Sequence, residues 1–386
     1  MKTVKKHILF IAVSALVITG CSRKKNSFIT RNFHAVTTEY NALFNGYNAL
    51  EQGRKTLNDA YRDNYWEILP IERMQVSEEL FMPGESKNPS FNTAEEKAVK
   101  AIQKHGMNIQ GKEYNPQIDE AYLLLGKARY FDQRFVPALE AFNYILYKYP
   151  ASSNINQARI WREKTNLRLE NNELAIKNIK TLTEQVELKG QDLADATSTM
   201  AQAYINTQSL DSALAQIKIA ANATKKRNEE GRYYFIEGQL YNALKDKDSA
   251  NLAFDKVIDL NRKIPRKYLI SAHVEKAKNF DYNKGNKLEF IEYLTDLEED
   301  RENRPFLDQI YHQVAQYHSN QNSDSLAIEY YNKSLRTNSQ DKILMARNYE
   351  ILGDMSFDNN NYKVAGAYFD STMTKMVKNS KPYRII

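Results

Sequence analysis

Apolar side chains fall at helical spacing along most of the chain, most sharply over residues 119–150, DEAYLLLGKARYFDQRFVPALEAFNYILYKYP. A run over 122–125 leads into Gly126, and a polar break at Asp132 and Gln133 follows. A second run carries Ala138, Leu139, Phe142, Ile145 and Leu146 before Pro150 closes the segment. The pattern predicts two antiparallel helices. Gly126 and Ala138, twelve apart, fall at the helix crossing, where small side chains let the backbones approach. Phe142, one turn after Ala138, fills the adjacent hole. These three positions recur downstream. The first is Gly126, Glu163, Ala201, Gly238, Lys276, Ala315 and Gly353, at intervals of 37 to 39 residues. The second is Ala138, Ala175, Ala213, Ala250, Leu288, Ala327 and Ala365. The third is Phe142, Ile179, Ile217, Phe254, Glu292, Tyr331 and Phe369.

This pattern resembles the tetratricopeptide repeat, a helix–turn–helix unit with small residues at its eighth and twentieth positions, an aromatic at the twenty-fourth and a closing proline. The resemblance implies an all-α fold: a right-handed α-solenoid of about seven tetratricopeptide-like helix pairs over residues 93–386, preceded by a helical N-terminal segment. The period exceeds the ~34 residues of the standard repeat and predicts longer helices or turns. Two units depart from the pattern. Glu163 and Lys276 stand where a small residue belongs, and Glu292 stands where an aromatic belongs. The fifth unit is placed mainly by interpolation, and both units are expected to splay, slip register or use longer helices.

Upstream, residues 21–69 read as a helical segment. Tyr40, Leu43, Tyr47, Leu50 and Leu57 form one apolar stripe, interrupted by Gly46 and Gly53, so one broken helix or a helix pair fits equally. Residues 70–92 carry Pro70, Pro83, Gly84 and Pro89 and predict a long loop. Thr93 and Glu96 suggest a capping box for the next helix, and Gly106 and Gly111 bracket the link into the first repeat.

Residues 1–20 read as a targeting segment. Lys2, Lys5 and Lys6 precede an eleven-residue apolar core over 8–18. At ~1.5 Å per residue that core is too short for a ~30 Å hydrocarbon layer, so it reads as a signal peptide. It runs into Val17-Ile18-Thr19-Gly20-Cys21, which resembles a bacterial lipobox and implies acylation of Cys21, the single cysteine. Two or three acyl chains give stable anchoring where one does not. Ser22, rather than Asp, follows the cysteine, which favours the outer membrane by resemblance to bacterial sorting rules. Without an acidic export cluster, a periplasm-facing protein is expected.

Composition adds exclusions. With 13 Gly and 9 Pro in 386 residues the chain does not read as a turn-rich β protein. The 25 Tyr are expected to pack between helices with their hydroxyls at the rim. The formal charge of +6 falls to +3 without the three signal-peptide lysines, too mild to imply nucleic acid. His34, His105, His273, His312 and His318 make no HExxH motif or i, i+4 pair, so no metal is expected. Asp281, Asn283, Gly285 and Glu292 faintly match a calcium loop, but Asn286 replaces its glycine. The clusters Lys225, Lys226, Arg227 and Arg301, Arg304 read as solvated turns. No nucleophile elbow, phosphate loop or dinucleotide fingerprint occurs, so neither catalytic residues, a cofactor nor a small-molecule substrate is expected.

More specific motifs are YNALFNG (40–46), DNYWEILP (63–70), KAIQKH (100–105) and EYNPQIDEAYLLLGKARY (113–130). With the lipobox, these resemble the PorW/SprE family, repeat-bearing lipoproteins of the type IX secretion system and gliding motility. The resemblance is distinctive over residues 21–150. It implies an outer-membrane lipoprotein facing the periplasm and acting as a scaffold between secretion and motility proteins. Rival expectations are a BamD-like assembly lipoprotein, which should have about five repeats and no long N-terminal extension, and a SusD-like glycan-binding lipoprotein. The latter should display surface tryptophans; here only Trp66 and Trp161 occur, and Trp161 is expected to be packed in a helix. The basic tail 378–386 does not read as a polar capping helix, so a further region or a partner is expected at that end.

Overall fold

A computed structural model describes residues 22–75, 88–337 and 339–376. The signal segment, Cys21 and the tail 378–386 lie outside the described residues. The chain divides into two compact units, Met1–Ile236 and Glu237–Ile386.

The expected seven pairs are present as helices of thirteen to seventeen residues. They are α4 (Ile118–Phe131) with α5 (Phe135–Lys148), α6 (Ile155–Arg168) with α7 (Asn172–Gln185), and α8 (Gly190–Asn206) with α9 (Leu210–Ala223). Then come α10 (Arg227–Ala243) with α11 (Lys247–Leu260), and α12 (Arg266–Asn279) with α13 (Lys287–Glu299). The last two are α14 (Leu307–Asn320) with α15 (Asp324–Arg336), and α16 (Lys342–Asp358) with α17 (Tyr362–Lys375). The fold is an all-α helical-repeat solenoid.

The small-residue rule has a direct steric basis. A Cβ on Gly126, Gly238 or Gly353 would overlap the ring of Phe142, Phe254 or Phe369, so ring and glycine close each crossing together. Six pairs share one three-residue turn. Its middle residue (Gln133, Glu170, Gln208, Lys245, Asn322 or Asn360) has φ between +56° and +66°. In each, the following N–H returns to a carbonyl five residues back, as from Arg134 to Arg129 and from Asn361 to Ser356. That is the Schellman closure, which satisfies the carbonyls a helix end leaves bare.

The second unit keeps register despite Glu163. Its buried carboxylate accepts hydrogen bonds from Arg162 Nε (2.5 Å), Asn166 Nδ2 (2.7 Å) and, across the pair, Asn178 Nδ2 (3.1 Å). A hydrogen-bonded pair thus replaces small-residue contact.

The fifth unit departs from the expected register. Lys276, Leu288 and Glu292 do not form its core; Leu288 is 66 % exposed. Val274, Phe290 and Leu294 take those places, because the connection runs over 280–286, four residues longer than the other turns. The extra residues carry Phe280, whose ring stacks on Phe290 at 3.9 Å.

Upstream, α1 (Phe28–Thr37), a π-helical turn (Thr38–Leu43) and α2 (Phe44–Ala60) run on as one interrupted helix. The π turn displaces Tyr40 from the expected stripe: Leu43 and Leu50 are buried, whereas Tyr40 is 69 % exposed. Helix ends at Ala60, so 61–69 are not part of the helical segment. The helix expected to begin at 93 is α3 (Pro89–His105), capped by Asn88, whose side chain accepts from Ser90 N at 2.9 Å. Thr93 and Glu96 do not form the capping box; Thr93 Oγ1 donates back to Pro89 O inside the helix. Helices α2 and α3 pair with Phe91 opposite Gly53; of the loop expected over 70–92, residues 76–87 lie outside the described residues and 89–92 are already helical. A two-residue hairpin, β1 (Asn108–Ile109) with β2 (Lys112–Glu113), then leads into α4 through Gln110 and Gly111, both at positive φ.

Candidate functional site

In the first unit, the first helices of successive pairs present a common face, and the chain itself lies along it. Residues 61–75 leave α2 in non-helical conformation and meet α4, α6, α8 and α10 in turn. Gln133, just after α4, donates from Nε2 to Gln75 O at 3.0 Å. Tyr130 of α4 donates its hydroxyl to Glu72 Oε2 at 2.6 Å. Arg168 of α6 donates to that same oxygen (2.9 Å) and to the Tyr130 hydroxyl (3.0 Å). The Ile71 N–H donates to Gln202 Oε1 of α8 at 2.7 Å. Arg232 of α10 grips the segment twice, donating to Pro70 O at 2.8 Å and Asp63 Oδ1 at 2.7 Å. Tyr65 meets Phe235 edge-on at 5.3 Å, and Leu69 is fully buried.

Sequence patterning does not find this face, because its contacts join residues 58 to 169 positions apart. The only local signal is DNYWEILP itself, an acidic, aromatic and apolar stretch ending in proline. The segment makes few backbone hydrogen bonds of its own, such as Glu67 N to Asn64 O, so the side chains of Gln202 and Arg232 pair the Ile71 N–H and the Pro70 carbonyl.

The electrostatics fit a closed contact. Burial pushes the Glu72 carboxyl up, but Arg168, Lys164 and the Tyr130 hydroxyl outweigh it, and the group lies below the usual carboxylate range. Burial and then Glu72 push the Tyr130 phenol well above its ordinary value. Arg232 and Asp63 are almost wholly buried, the geometry in which removing one partner is most costly. A cavity of about 270 Å³ remains beside Pro70, Glu72, Tyr130, Lys164 and Arg168. Its volume lies at the lower end of the ~300–1,000 Å³ range of ligand pockets.

The other specific motif residues also hold structure together. Glu113 Oε1 accepts the N–H groups of Met107 (2.6 Å), Tyr114 (3.1 Å) and Asn115 (2.9 Å). Asn115 Nδ2 donates to His105 O and Thr38 Oγ1, tying the link before α4 to α3 and the π turn.

The expected site residues are placed as follows. Cys21 lies outside the described residues. His34 and His105, far apart in sequence, meet with Nδ1 atoms 3.1 Å apart; a search for i, i+4 pairs could not find them. His273 lies against the Tyr293 hydroxyl and His312 against Asn348 Oδ1 (2.5 and 2.6 Å), and burial holds both rings down to about 4. Asp281 accepts from the Asn283 N–H, and Asn286 caps α13. No group of three or more metal-ligating side chains stands together among the described residues. The expected solvated turn over 225–227 ends at Lys226: Arg227 begins α10, and Lys226 and Arg227 pair with Glu229 and Glu230 of its first turn. Trp161 is packed, its ring against Tyr130, Phe131 and Phe142.

No family model and no curated protein matches the chain. In fold it is similar to a tetratricopeptide repeat protein from Parabacteroides merdae ATCC 43184, at 15 % identity over 68 % of this chain and 94 % of that one, TM-score 0.47. It is also similar to the C-terminal part of a TPR repeat-containing protein from Cytophaga hutchinsonii, at 17 % identity over 68 % and 98 %, TM-score 0.48. A thermophilic TPR protein from Thermus thermophilus gives 19 % identity over 60 % and 96 %, TM-score 0.31.

Proposed function

We propose that this protein is a non-enzymatic scaffold of type IX secretion and gliding motility, anchored in the outer membrane through acylated Cys21 and facing the periplasm. The observation that carries the scaffold reading is the run of seven helix pairs, each a repeated surface element of helical side chains. The lipobox and the PorW/SprE-like motifs support the finer assignment. The motif residues Asp63, Glu113 and Asn115 act as fasteners of the N-terminal half, which accounts for a distinctive pattern without any chemistry. Partners on this reading are other proteins of the secretion and motility machinery, together with the membrane.

Deleting the protein should abolish export of type IX cargo while leaving cargo synthesis unchanged, as measured by comparing secreted and cell-associated cargo. Normal secretion in the deletion strain overturns the assignment. Replacing Cys21 by Ser should release the protein from the outer-membrane fraction.

A further inference from the structure

The first helix of the described chain is built inside out. Along α1 and the π turn, every fourth residue (Thr30, His34, Thr38) faces inward and is buried. The Thr30 and Thr38 hydroxyls and the His34 Nδ1 find partners there. Thr38 Oγ1 donates to His34 O at 2.7 Å and accepts from Asn115 Nδ2 at 3.0 Å, while His34 meets His105. The opposite face carries Ile29, Phe33, Val36, Tyr40 and Phe44, at steps of four, three, four and four, with Phe28 at the start. Phe28 is 74 % exposed, Ile29 64 % and Phe44 60 %. Of eighteen exposed large hydrophobic side chains among the described residues, these six crowd into 28–44, so they form a stripe rather than scattered singles.

Two observations identify what covers the stripe. The first is charge: residues 22–44 hold Arg23, Lys24, Lys25 and Arg31 against the one acid Glu39. Arg23 donates to Gln103 O, and Lys24, Lys25 and Arg31 are exposed. The second is distance: the lipobox cysteine is seven residues before Phe28, a reach of at most ~25 Å even fully extended. A basic flank beside an aromatic and aliphatic face is the pattern of a helix lying in the membrane interface, with its apolar side among the acyl chains. No described helix is long and apolar enough to cross a membrane, so an in-plane contact is the geometry available to α1 as a lipid-binding element.

We propose that the face Phe28, Ile29, Phe33, Val36, Tyr40 and Phe44 docks on a lipid surface, as a second membrane contact beside the acyl anchor. This rests on the lipid-anchored reading for its placement, but it is separable by experiment. The chain from residue 22 onward, which lacks the acylation site, is mixed with vesicles of phosphatidylethanolamine and phosphatidylglycerol and floated on a density gradient. The wild-type chain should float with the vesicles. The variant Phe33→Ser/Tyr40→Ser/Phe44→Ser should bind ~10-fold or more weakly, with an unchanged far-UV circular dichroism spectrum and melting midpoint, since all three side chains are exposed. Added salt should weaken wild-type binding in part.

An unacylated chain that stays off the vesicles, when the acylated protein from cells floats, overturns the proposal and leaves the anchor reading intact. A variant that floats as well as wild type also overturns it. Failure to float, combined with capture of an outer-membrane protein that the variant no longer captures, assigns the stripe to a protein partner and overturns the lipid reading. If acylated Cys21 is absent from the cellular protein but the unacylated chain floats, the anchor reading falls and the docking face stands.

Discussion

The first and fifth helix pairs perform the same packing with different resources. In the first, a three-residue turn holds α4 against α5 so closely that position 126 has room only for glycine beside Phe142. So short a loop, 132–134, adds no apolar side chain to the core, and the pair draws cover from afar. Trp161 of the next pair stacks on Phe142, Leu124 fills the space left by Gly46, and the Tyr130 hydroxyl ends on Glu72 of the segment 61–75. In the fifth pair the seven-residue connection supplies Phe280 and Tyr282, and the crossing widens to admit Val274 and Phe290. His273 then reaches the Tyr293 hydroxyl within the same pair. The short turn leaves the first pair to draw its cover from other elements, whereas the long one adds Phe280 and Tyr282 to a core that the fifth pair still shares with Ile310, Val314 and Tyr317 of α14.

The largest test of that dependence lies far from α4 in sequence. Asp63→Ala leaves Arg232 buried beside a lost carboxylate and should cost about 3–5 kcal/mol, the usual penalty for breaking a buried pair on one side. It should also loosen Glu72 from Tyr130. Urea denaturation followed by far-UV circular dichroism measures the first effect, and tyrosine and tryptophan fluorescence near Trp161 reports the second. A change under ~1 kcal/mol would show that the segment only rests on the helices.

A pH dependence should separate the two pairs next. The first pair, 118–148, contains no histidine. In the fifth, burial, with Lys276 and Arg266 nearby, lowers His273 from 6.5 to about 4. The folded chain keeps this ring neutral while the unfolded chain protonates it, so stability should hold above pH 6.5, fall between 6.5 and 4, and level off below. The loss should approach ~3 kcal/mol. His312, buried in the sixth pair and also held down to about 4, costs stability over the same window, so His273→Gln should remove about half of the fall and leave the His312 part, as read from denaturation midpoints across the range.

The crossing itself gives the third test. Gly126→Leu must displace the Phe142 ring and should cost ~1–3 kcal/mol, whereas Val274→Leu, in the wider fifth crossing, should cost less than ~1.5 kcal/mol. Equal melting-point shifts for the two substitutions would remove the distinction between the crossings.

Much of this architecture is legible in the sequence because helix crossings depend on side-chain size at fixed spacing, which Gly126, Ala138 and Phe142 and their counterparts carry openly. Unit five is misread for the same reason: spacing presumes a constant turn, and four extra residues move the core from Leu288 to Phe290. Tyr40 is misplaced because a π turn alters the angle per residue without a composition signal. The occupied face is invisible to periodicity, since Arg232 and Asp63 acquire meaning only once α10 and the segment 61–75 are brought together. The polar interior of α1 is hidden too, because the partners of His34 and Thr38, His105 and Asn115, lie 71 and 77 positions away.

The smallest effect tests the turn from which the comparison starts. Gln133 sits at φ +62°, a conformation that costs an L-residue ~1–2 kcal/mol and is worst for β-branched side chains. The six short turns use Gln, Glu, Lys or Asn there rather than glycine, so each accepts that cost in return for the Schellman closure. Gln133→Val should therefore destabilise by ~1–2 kcal/mol, part of it through the lost hydrogen bond to Gln75 O. Lys284 lies in the long fifth connection, is exposed and has no left-handed backbone, so Lys284→Val should stay within ~0.5 kcal/mol. Thermal melts of the two single variants decide it. If they shift alike, left-handed backbone strain is not what distinguishes the short turn, and the difference between the pairs rests on the side chains the long connection adds, Phe280 and Tyr282.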